Sequence, residues 1–81
     1  MSEFYVSLSS IEDVRQFVNA ATCCPCEVDV LSGRYVIDAK SIMGLFSLDL
    51  SKPVRVEVHG SDSERAEFEK SVAAFEVKAP K

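Results

Sequence analysis

The chain of 81 residues has the length of one small domain, and its 47% hydrophobic and 27% charged residues are typical of a folded globular protein. The formal net charge is −4, which disfavours a phosphate backbone as partner, so we expect no nucleic acid. No apolar run reaches the roughly 18–20 residues of a membrane span, and the first residues lack a signal-peptide pattern. We therefore expect one cytoplasmic domain over residues 1–81 with no membrane partner.

The first two predicted elements are a strand and a helix. Residues 3–8 alternate between apolar and polar side chains, as a half-buried strand does. Ser9 and Ser10 are each followed three residues later by a carboxylate, a doubled capping-box pattern that opens a helix. The helix is predicted to run to about residue 22 and to end before Pro25. Its apolar residues recur at helical spacing and predict one buried stripe, composed of Ile11, Val14, Phe17, Val18 and Ala21.

The rest of the chain predicts three strands and two helices. Residues 26–39 favour an antiparallel hairpin around a Ser-Gly turn. Ser41 caps a short apolar helix of about two turns over residues 42–46. Alternating valines predict a strand over 54–59, and Ser61 begins a capping box that opens a final amphipathic helix of about fifteen residues.

The predicted order β-α-β-β-α-β-α indicates the fold class. Four strands joined in this way bury one face of an antiparallel sheet under the helices and leave the other face in water. The residues predicted to face outward are all polar: Glu27, Asp29, Arg55 and Glu57. We therefore predict an α/β (α+β) open-faced β-sandwich with a four-stranded antiparallel sheet and its helices on one face.

The segment Lys40–Leu48 resembles the regulatory-serine segment of HPr, the small phosphocarrier of the bacterial sugar phosphotransferase system. A lysine and a serine precede an Ile-Met-Gly helix, as in that family, and the predicted element order is also the family's order. The stretch Gln16–Ala21 is similar to the family's first helix, so the resemblance covers essentially the whole chain. It implies an HPr-like domain over residues 1–81. It also implies that the chain is not an enzyme, has no cofactor, and has protein partners in the sugar phosphotransferase or carbon-regulation network.

The chain departs from HPr at the position that carries the phosphoryl group. HPr uses a histidine at the start of the first helix, followed closely by an arginine and a proline. By the resemblance, Ser10 occupies the histidine position, Glu12 the arginine position and Asp13 the proline position. The single histidine, His59, lies on the last predicted strand and is expected to be an exposed side chain without a functional role.

This departure predicts loss of the carrier reaction. A neutral imidazole forms a labile phosphoryl bond at pH 7, whereas a serine phosphoester is too stable to pass the group on. The transferred group is anionic, and Glu12 and Asp13 place two carboxylates where cations and donors are needed. We therefore expect a regulatory or protein-interaction module without a catalytic residue. The alternative is a working phosphocarrier in sugar transport.

Ser41 is the candidate regulatory phosphorylation site. In the low-GC Gram-positive branch of the family, a dedicated kinase phosphorylates the matching serine, and the resemblance implies the same chemistry here. The simpler interpretation is that Ser41 is only a helix cap, a position that serine favours. The chain also resembles a sub-class that lacks the histidine, keeps the serine and acts as a catabolite-repression co-regulator, although the family's arginine is absent here.

Ile42, Met43 and Phe46 form the candidate partner-binding patch, because the equivalent apolar residues of HPr dock onto partner proteins. Methionine adapts well to such surfaces, and an exposed apolar cluster on a small domain indicates a partner. The alternative is that one side of this helix only closes the core, a role that we expect Leu45 and Leu48 to fill.

Three cysteines within residues 23–26 are not a feature of the HPr family. Cys23 and Cys26 have the C-x-x-C spacing of half a zinc site, and a dimer could supply the other half. A thiol-redox module is a second alternative, although these thiols follow a helix, where the dipole favours the protonated form. The simplest interpretation is three small hydrophobic side chains at a helix–strand junction, with no metal bound.

Overall fold

The computed structural model describes residues 3–78, and the described chain contains five strands and three α-helices. The elements are β1 (Glu3–Val6), α1 (Ile11–Cys23), β2 (Glu27–Ser32), β3 (Tyr35–Asp38), α2 (Ile42–Phe46), β4 (Val54–His59), α3 (Asp62–Ser71), a 3-10 turn (Ala73–Phe75) and β5 (Glu76–Val77). The predicted order from β1 to α3 is confirmed. Among residues 3–78, no helix is both long and apolar enough to cross a bilayer.

The sheet is antiparallel throughout, with the strand order β3-β2-β4-β1-β5. Strand β4 lies between β1 and β2, so that Val56 pairs with Phe4 on one side and with Val30 on the other. Because side chains alternate along each strand, these residues and their i±2 neighbours point to one face and form the floor of the core. The open-faced α+β sandwich is thereby confirmed.

The core lies between this sheet face and the helices. Phe17 of α1 is completely buried, and its ring meets Phe68 of α3 edge to face at a centroid distance of 5.7 Å. Phe68 also packs against Phe4 of β1, with centroids 6.3 Å apart. These three rings connect both long helices to the sheet, and an edge-to-face pair adds roughly 0.5–1.5 kcal/mol to the burial of its rings.

The opposite sheet face carries the four polar residues predicted to lie there, Glu27, Asp29, Arg55 and Glu57, but it also exposes Val36. Arg55 at its centre lies 3.4 Å from the Glu57 carboxylate and 3.9 Å from that of Glu3. At the far end of β4, His59 Nε2 lies 2.9 Å from the Asp29 carboxylate. These pairs are partly exposed, so each contributes little to stability, but together they keep this sheet face solvated.

The structure corrects two predictions at the end of the described chain. The sheet has five strands instead of four, and the final helix is shorter than the predicted fifteen residues. Helix α3 begins at the predicted capping box of Ser61 and ends at Ser71. The chain then turns back as a fifth strand, in which Glu76 pairs with Val6 of β1. The Ser7 N–H donates a hydrogen bond of 2.8 Å to the Phe75 carbonyl. The free edge of β1 therefore draws the chain out of the helix, because its unpaired backbone groups need partners.

The Glu76→Gln substitution is expected to stabilise the protein at neutral pH. Partial desolvation, followed by the hydrogen bond and charge of Glu69, raises the pKa of Glu76 above its usual 4.5. The folded state therefore binds a proton more tightly than the unfolded state. The contribution of Glu76 to stability is therefore most favourable below pH 4.5 and is lost as the pH rises through the folded pKa. Glutamine removes this loss, so the melting temperature should rise at pH 7 and change less at pH 4.

Thermal melts at the two pH values check this prediction. Glu67→Gln, at an exposed position of the same helix as Glu69, is the matched control for the loss of one negative charge. An equal gain in both variants at pH 7 would attribute the effect to net charge instead of the Glu69–Glu76 contact.

Candidate functional site

Side chains at the start of α1 make hydrogen bonds with the backbone N–H groups there. The Ser10 hydroxyl oxygen accepts a hydrogen bond of 3.1 Å from the Asp13 N–H, which makes Ser10 the N-cap. The Asp13 carboxylate accepts from both the Ser9 N–H and the Ser9 hydroxyl, each at 3.1 Å. The predicted cap at Ser10 is thus confirmed, but the doubled capping box is not, because Asp13 and not Glu12 bonds to Ser9. The N–H and hydroxyl donors of Ser9 are therefore bonded to a carboxylate of the protein itself and are not free to bind a phosphoryl group.

Glu12 completes an acidic first turn. Its carboxylate accepts a hydrogen bond of 3.2 Å from the Gln16 amide and lies 3.6 Å from the Arg15 guanidinium. The pair with Arg15 is well exposed, so solvent screens most of its attraction. The helix start therefore presents two carboxylates in its first turn, where they also suit the helix dipole.

His59 lies at the other end of the sheet. It pairs with Glu27 of β2 at the end of β4, whereas α1 follows the end of β1 at which Val6 pairs with Val54. Its ring nitrogen is bonded to Asp29. The exposed strand position predicted for His59 is confirmed, and the imidazole does not reach the start of α1.

Ser41 is an exposed N-cap on α2. Its hydroxyl oxygen accepts a hydrogen bond of 3.2 Å from the Gly44 N–H. The preceding Lys40 is exposed, and its backbone N–H donates to the Asp38 carboxylate at 2.9 Å. Glycine is required at position 44, because a Cβ there would come within 2.6 Å of Ile37 Cγ2. The segment that carries the resemblance is therefore held tightly against β3, with the serine hydroxyl at the surface.

The apolar residues of α2 divide between the core and the solvent. Leu45 is completely buried and Leu48 packs beside it against the core, as predicted. The prediction that Ile42 belongs to the partner-binding patch is corrected, because Ile42 is half-buried and packs against the core. Met43 is 77% exposed and Phe46 is 42% exposed.

Ile11 joins these residues, although its spacing had placed it in the buried stripe of α1. It is 69% exposed and shares a cleft of about 400 Å³ with Phe46. Met43 and Phe46 lie three residues apart on α2 and so share a helix face. We call Ile11, Met43 and Phe46 the apolar patch. A clue in the sequence is that Ile11 is the first residue of its helix, a position that neighbouring elements often leave uncovered.

The cysteines form a different pair from the one that their spacing suggested. Cys23 is exposed, Cys24 is buried at the C-cap of α1, and Cys26 is half-buried. The Sγ atoms of Cys24 and Cys26 lie 3.0 Å apart. Burial, followed by the neighbouring Cys24, raises the pKa of Cys26 to about 11. Within residues 3–78, no three or more His, Cys, Asp or Glu side chains are grouped so that they could hold a metal ion.

Comparisons with known proteins agree with this fold. The family model described as the PTS HPr component phosphorylation site matches residues 13–76, a range that includes Ser41 and begins after Ser10. The crystal structure of HPr-C-His from Thermoanaerobacter tengcongensis superposes with a TM-score of 0.75 at 25% identity, covering 91% of this chain and 89% of that one. No curated protein sequence is significantly similar to the chain.

The match to the family model spans most of the chain, and the structural similarity extends over nearly all of it. The chain therefore belongs to the HPr family of the phosphotransferase system, and HPr itself is a phosphocarrier protein and not an enzyme.

Proposed function

We propose that this HPr family member has no phosphocarrier activity and acts as a regulatory, protein-interaction module. The observation that carries this proposal is the acidic start of α1. There the Ser10 side chain accepts a hydrogen bond from the Asp13 N–H, and the Asp13 side chain accepts one from the Ser9 N–H. A phosphoryl group at that position would meet the carboxylates of Glu12 and Asp13 and would have no imidazole to bind. Its partners are proteins of the phosphotransferase or carbon-regulation network.

Phosphorylation of Ser41 is the proposed switch of the module. The Ser41 side chain is exposed, and its hydroxyl is bonded only to a local backbone N–H among the contacts of the described chain. A phosphate adds about −1.5 to −2 charges at pH 7, and Lys40 next to it carries the opposite charge. The added charge would lie on the same short helix as Met43 and Phe46, so it would change the surface offered to a partner.

The apolar patch is the proposed docking surface. Two helices contribute to it, and its members are three of the six exposed large apolar side chains of residues 3–78. Ile11 and Phe46 both line the cleft between the start of α1 and the end of α2, and Met43 shares a face of α2 with Phe46. An exposed, adaptable apolar surface of this kind suits a protein partner.

Incubation with phosphoenolpyruvate and the first enzyme of the phosphotransferase system tests the loss of carrier activity. We expect the wild-type protein to acquire no acid-labile phosphoryl group, while a histidine-bearing HPr in a parallel reaction becomes fully labelled. The His59→Gln variant is the matched control for the single imidazole. Labelling of the wild type that disappears in His59→Gln would establish a working phosphocarrier and overturn the proposal. Labelling that persists in His59→Gln would also overturn it, because another side chain would then carry the group.

A further inference from the structure

We infer that Cys24 and Cys26 are a redox-reactive dithiol that closes to an intramolecular disulfide on reaction with a low-molecular-weight disulfide. This chemistry is separate from the proposed function, because it uses neither Ser41 nor the start of α1. Cys23, the third thiol of the cluster, stays free.

The positions of the two sulfur atoms support this pairing. Their separation of 3.0 Å is about 1 Å longer than a disulfide bond, so closure requires only a small movement of the side chains. Cys26 lies against Gly60, where a Cβ would come within 2.7 Å of both Cβ and Sγ of Cys26. The absence of a side chain at Gly60 is therefore what leaves room for Cys26 to face Cys24.

Metal binding fits the same atoms less well. Two sulfurs that share a tetrahedral zinc ion lie about 3.8 Å apart, and such a site needs four ligands. The described residues 3–78 offer no third ligand, because no group of three or more Cys, His, Asp or Glu side chains surrounds the pair. A disulfide needs nothing beyond the two thiols and an oxidant.

The reaction balances as a two-step exchange. Cys26, the more accessible of the two thiols, attacks the external disulfide as its thiolate, forms a mixed disulfide and releases one small thiol. Cys24 then loses its proton, attacks the Cys26 sulfur and releases the second small thiol. Two electrons pass from the cysteines to the external disulfide, and the protein loses two hydrogens.

The environment of Cys26 makes the exchange slow and the product persistent. Burial, the Cys24 thiol and the Glu64 carboxylate all disfavour the Cys26 thiolate. Few molecules are therefore reactive at pH 7, and the reaction should accelerate as the pH rises towards the Cys26 pKa of about 11. A thiol that ionises with difficulty is also a poor leaving group, so reduction of the finished disulfide by attack at the Cys24 sulfur, which expels Cys26, is slow as well.

The dithiol lies far from the apolar patch. It follows the C-terminal end of α1, whereas the apolar patch lies at the other end of this thirteen-residue helix. A helix of this length spans roughly 20 Å. The surface beside the dithiol is a groove of about 450 Å³ between α1 and α3, lined in part by Cys24 and Phe68. Oxidation should thus affect this groove and leave the apolar patch unchanged.

The test uses the reduced full-length protein in a buffer of oxidised and reduced glutathione at pH 8.5. Intact-mass spectrometry should show a loss of about 2 Da without a bound glutathione at equilibrium. Maleimide labelling under denaturing conditions should then fall from three thiols per chain to one. The Cys23→Ser variant should still lose about 2 Da and retain no free thiol.

Two variants and one competitor complete the experiment. Cys26→Ser should retain two free thiols or a mixed disulfide, and Cys24→Ser should behave likewise, so that a failure of one variant to fold leaves the other informative. Loss of the internal disulfide in Cys23→Ser would assign the bond to Cys23 and overturn the inference. A covalent dimer, or full labelling of all three thiols after oxidation, would overturn it too. Protection of the reduced thiols by added zinc would assign the cluster to a metal and would also contradict it.

Discussion

Replacement of Ser41 by asparagine is expected to abolish phosphorylation by the serine kinase of the phosphotransferase system. With ATP, the wild-type protein should acquire one phosphate per chain, and the variant should acquire none. Asparagine is as good an N-cap as serine, so it can accept the Gly44 N–H and keep α2 folded while removing the hydroxyl. Alanine at this position would also cost roughly 0.5–2 kcal/mol of stability, which makes it the less informative substitution.

Ser47 provides the matched control, because it is also exposed and lies at the other end of the same short helix. The Ser47→Ala variant should be phosphorylated as fully as the wild type, with intact-mass spectrometry as the readout for all three proteins. If the wild-type protein acquires no phosphate, Ser41 acts only as the N-cap of α2 and the proposed switch is wrong. Phosphate retained in Ser41→Asn but lost in Ser47→Ala would move the modification to Ser47.

The Phe17→Ala substitution is expected to bring the domain close to unfolding. Phe17 is completely buried, and its ring closes the contact between α1, α3 and the sheet through Phe68. Truncation of a buried phenylalanine costs about 3–5 kcal/mol, because the apolar contacts are lost and a cavity remains. A chain of 81 residues has roughly 4–12 kcal/mol in total, so this loss is a large share of its stability.

Urea unfolding at 25 °C, followed by far-ultraviolet circular dichroism, measures the loss. The control is Ile11→Ala on the same helix, since Ile11 is 69% exposed and its truncation should change the free energy of unfolding by less than about 0.5 kcal/mol. A cost below about 1 kcal/mol for Phe17→Ala would mean that the core collapses around the missing ring. A large cost for Ile11→Ala would show that this residue supports the fold and is not free to dock a partner.

Features that depend on nearby residues could be predicted from the sequence. The caps at Ser10, Ser41 and Ser61 all formed, because each needs only a hydroxyl and a backbone N–H three residues away. The alternation of valines in β4 likewise identified its buried face, since the period of a strand is set by its own backbone.

The position of Ile11 shows where a helical pattern stops being informative. Spacing groups it with Val14 and Phe17, which are buried, but Ile11 lies beyond the part of α1 that the sheet and α3 cover. Which end of an apolar stripe is covered depends on neighbouring elements that are distant in sequence. The apolar patch, and with it the proposed docking surface, is therefore a property of how α1 and α2 pack together.

The fifth strand and the cysteine pair have the same kind of origin. Glu76 and Val77 are too few to show a period, and they become a strand only because β1 offers a free edge. Spacing favoured Cys23 with Cys26, but Cys23 ends on the exposed side of α1, while Cys24 at the C-cap turns towards Cys26. The direction of a side chain after a helix ends depends on the path of the next loop.

The sequence by itself determined the order of the elements, the burial pattern of the strands and the absence of a histidine from the start of α1, because these are local or compositional properties. Only the tertiary structure decided that His59 lies at the end of β4 away from the start of α1, that Ile11 joins Phe46 at the surface, and that Cys24 faces Cys26. The positions of His59 and Ile11 depend on contacts between segments that are distant in sequence, and packing of the whole core fixes how those segments are placed. The contact between Cys24 and Cys26 depends on the path of the loop between α1 and β2, which the same packing determines.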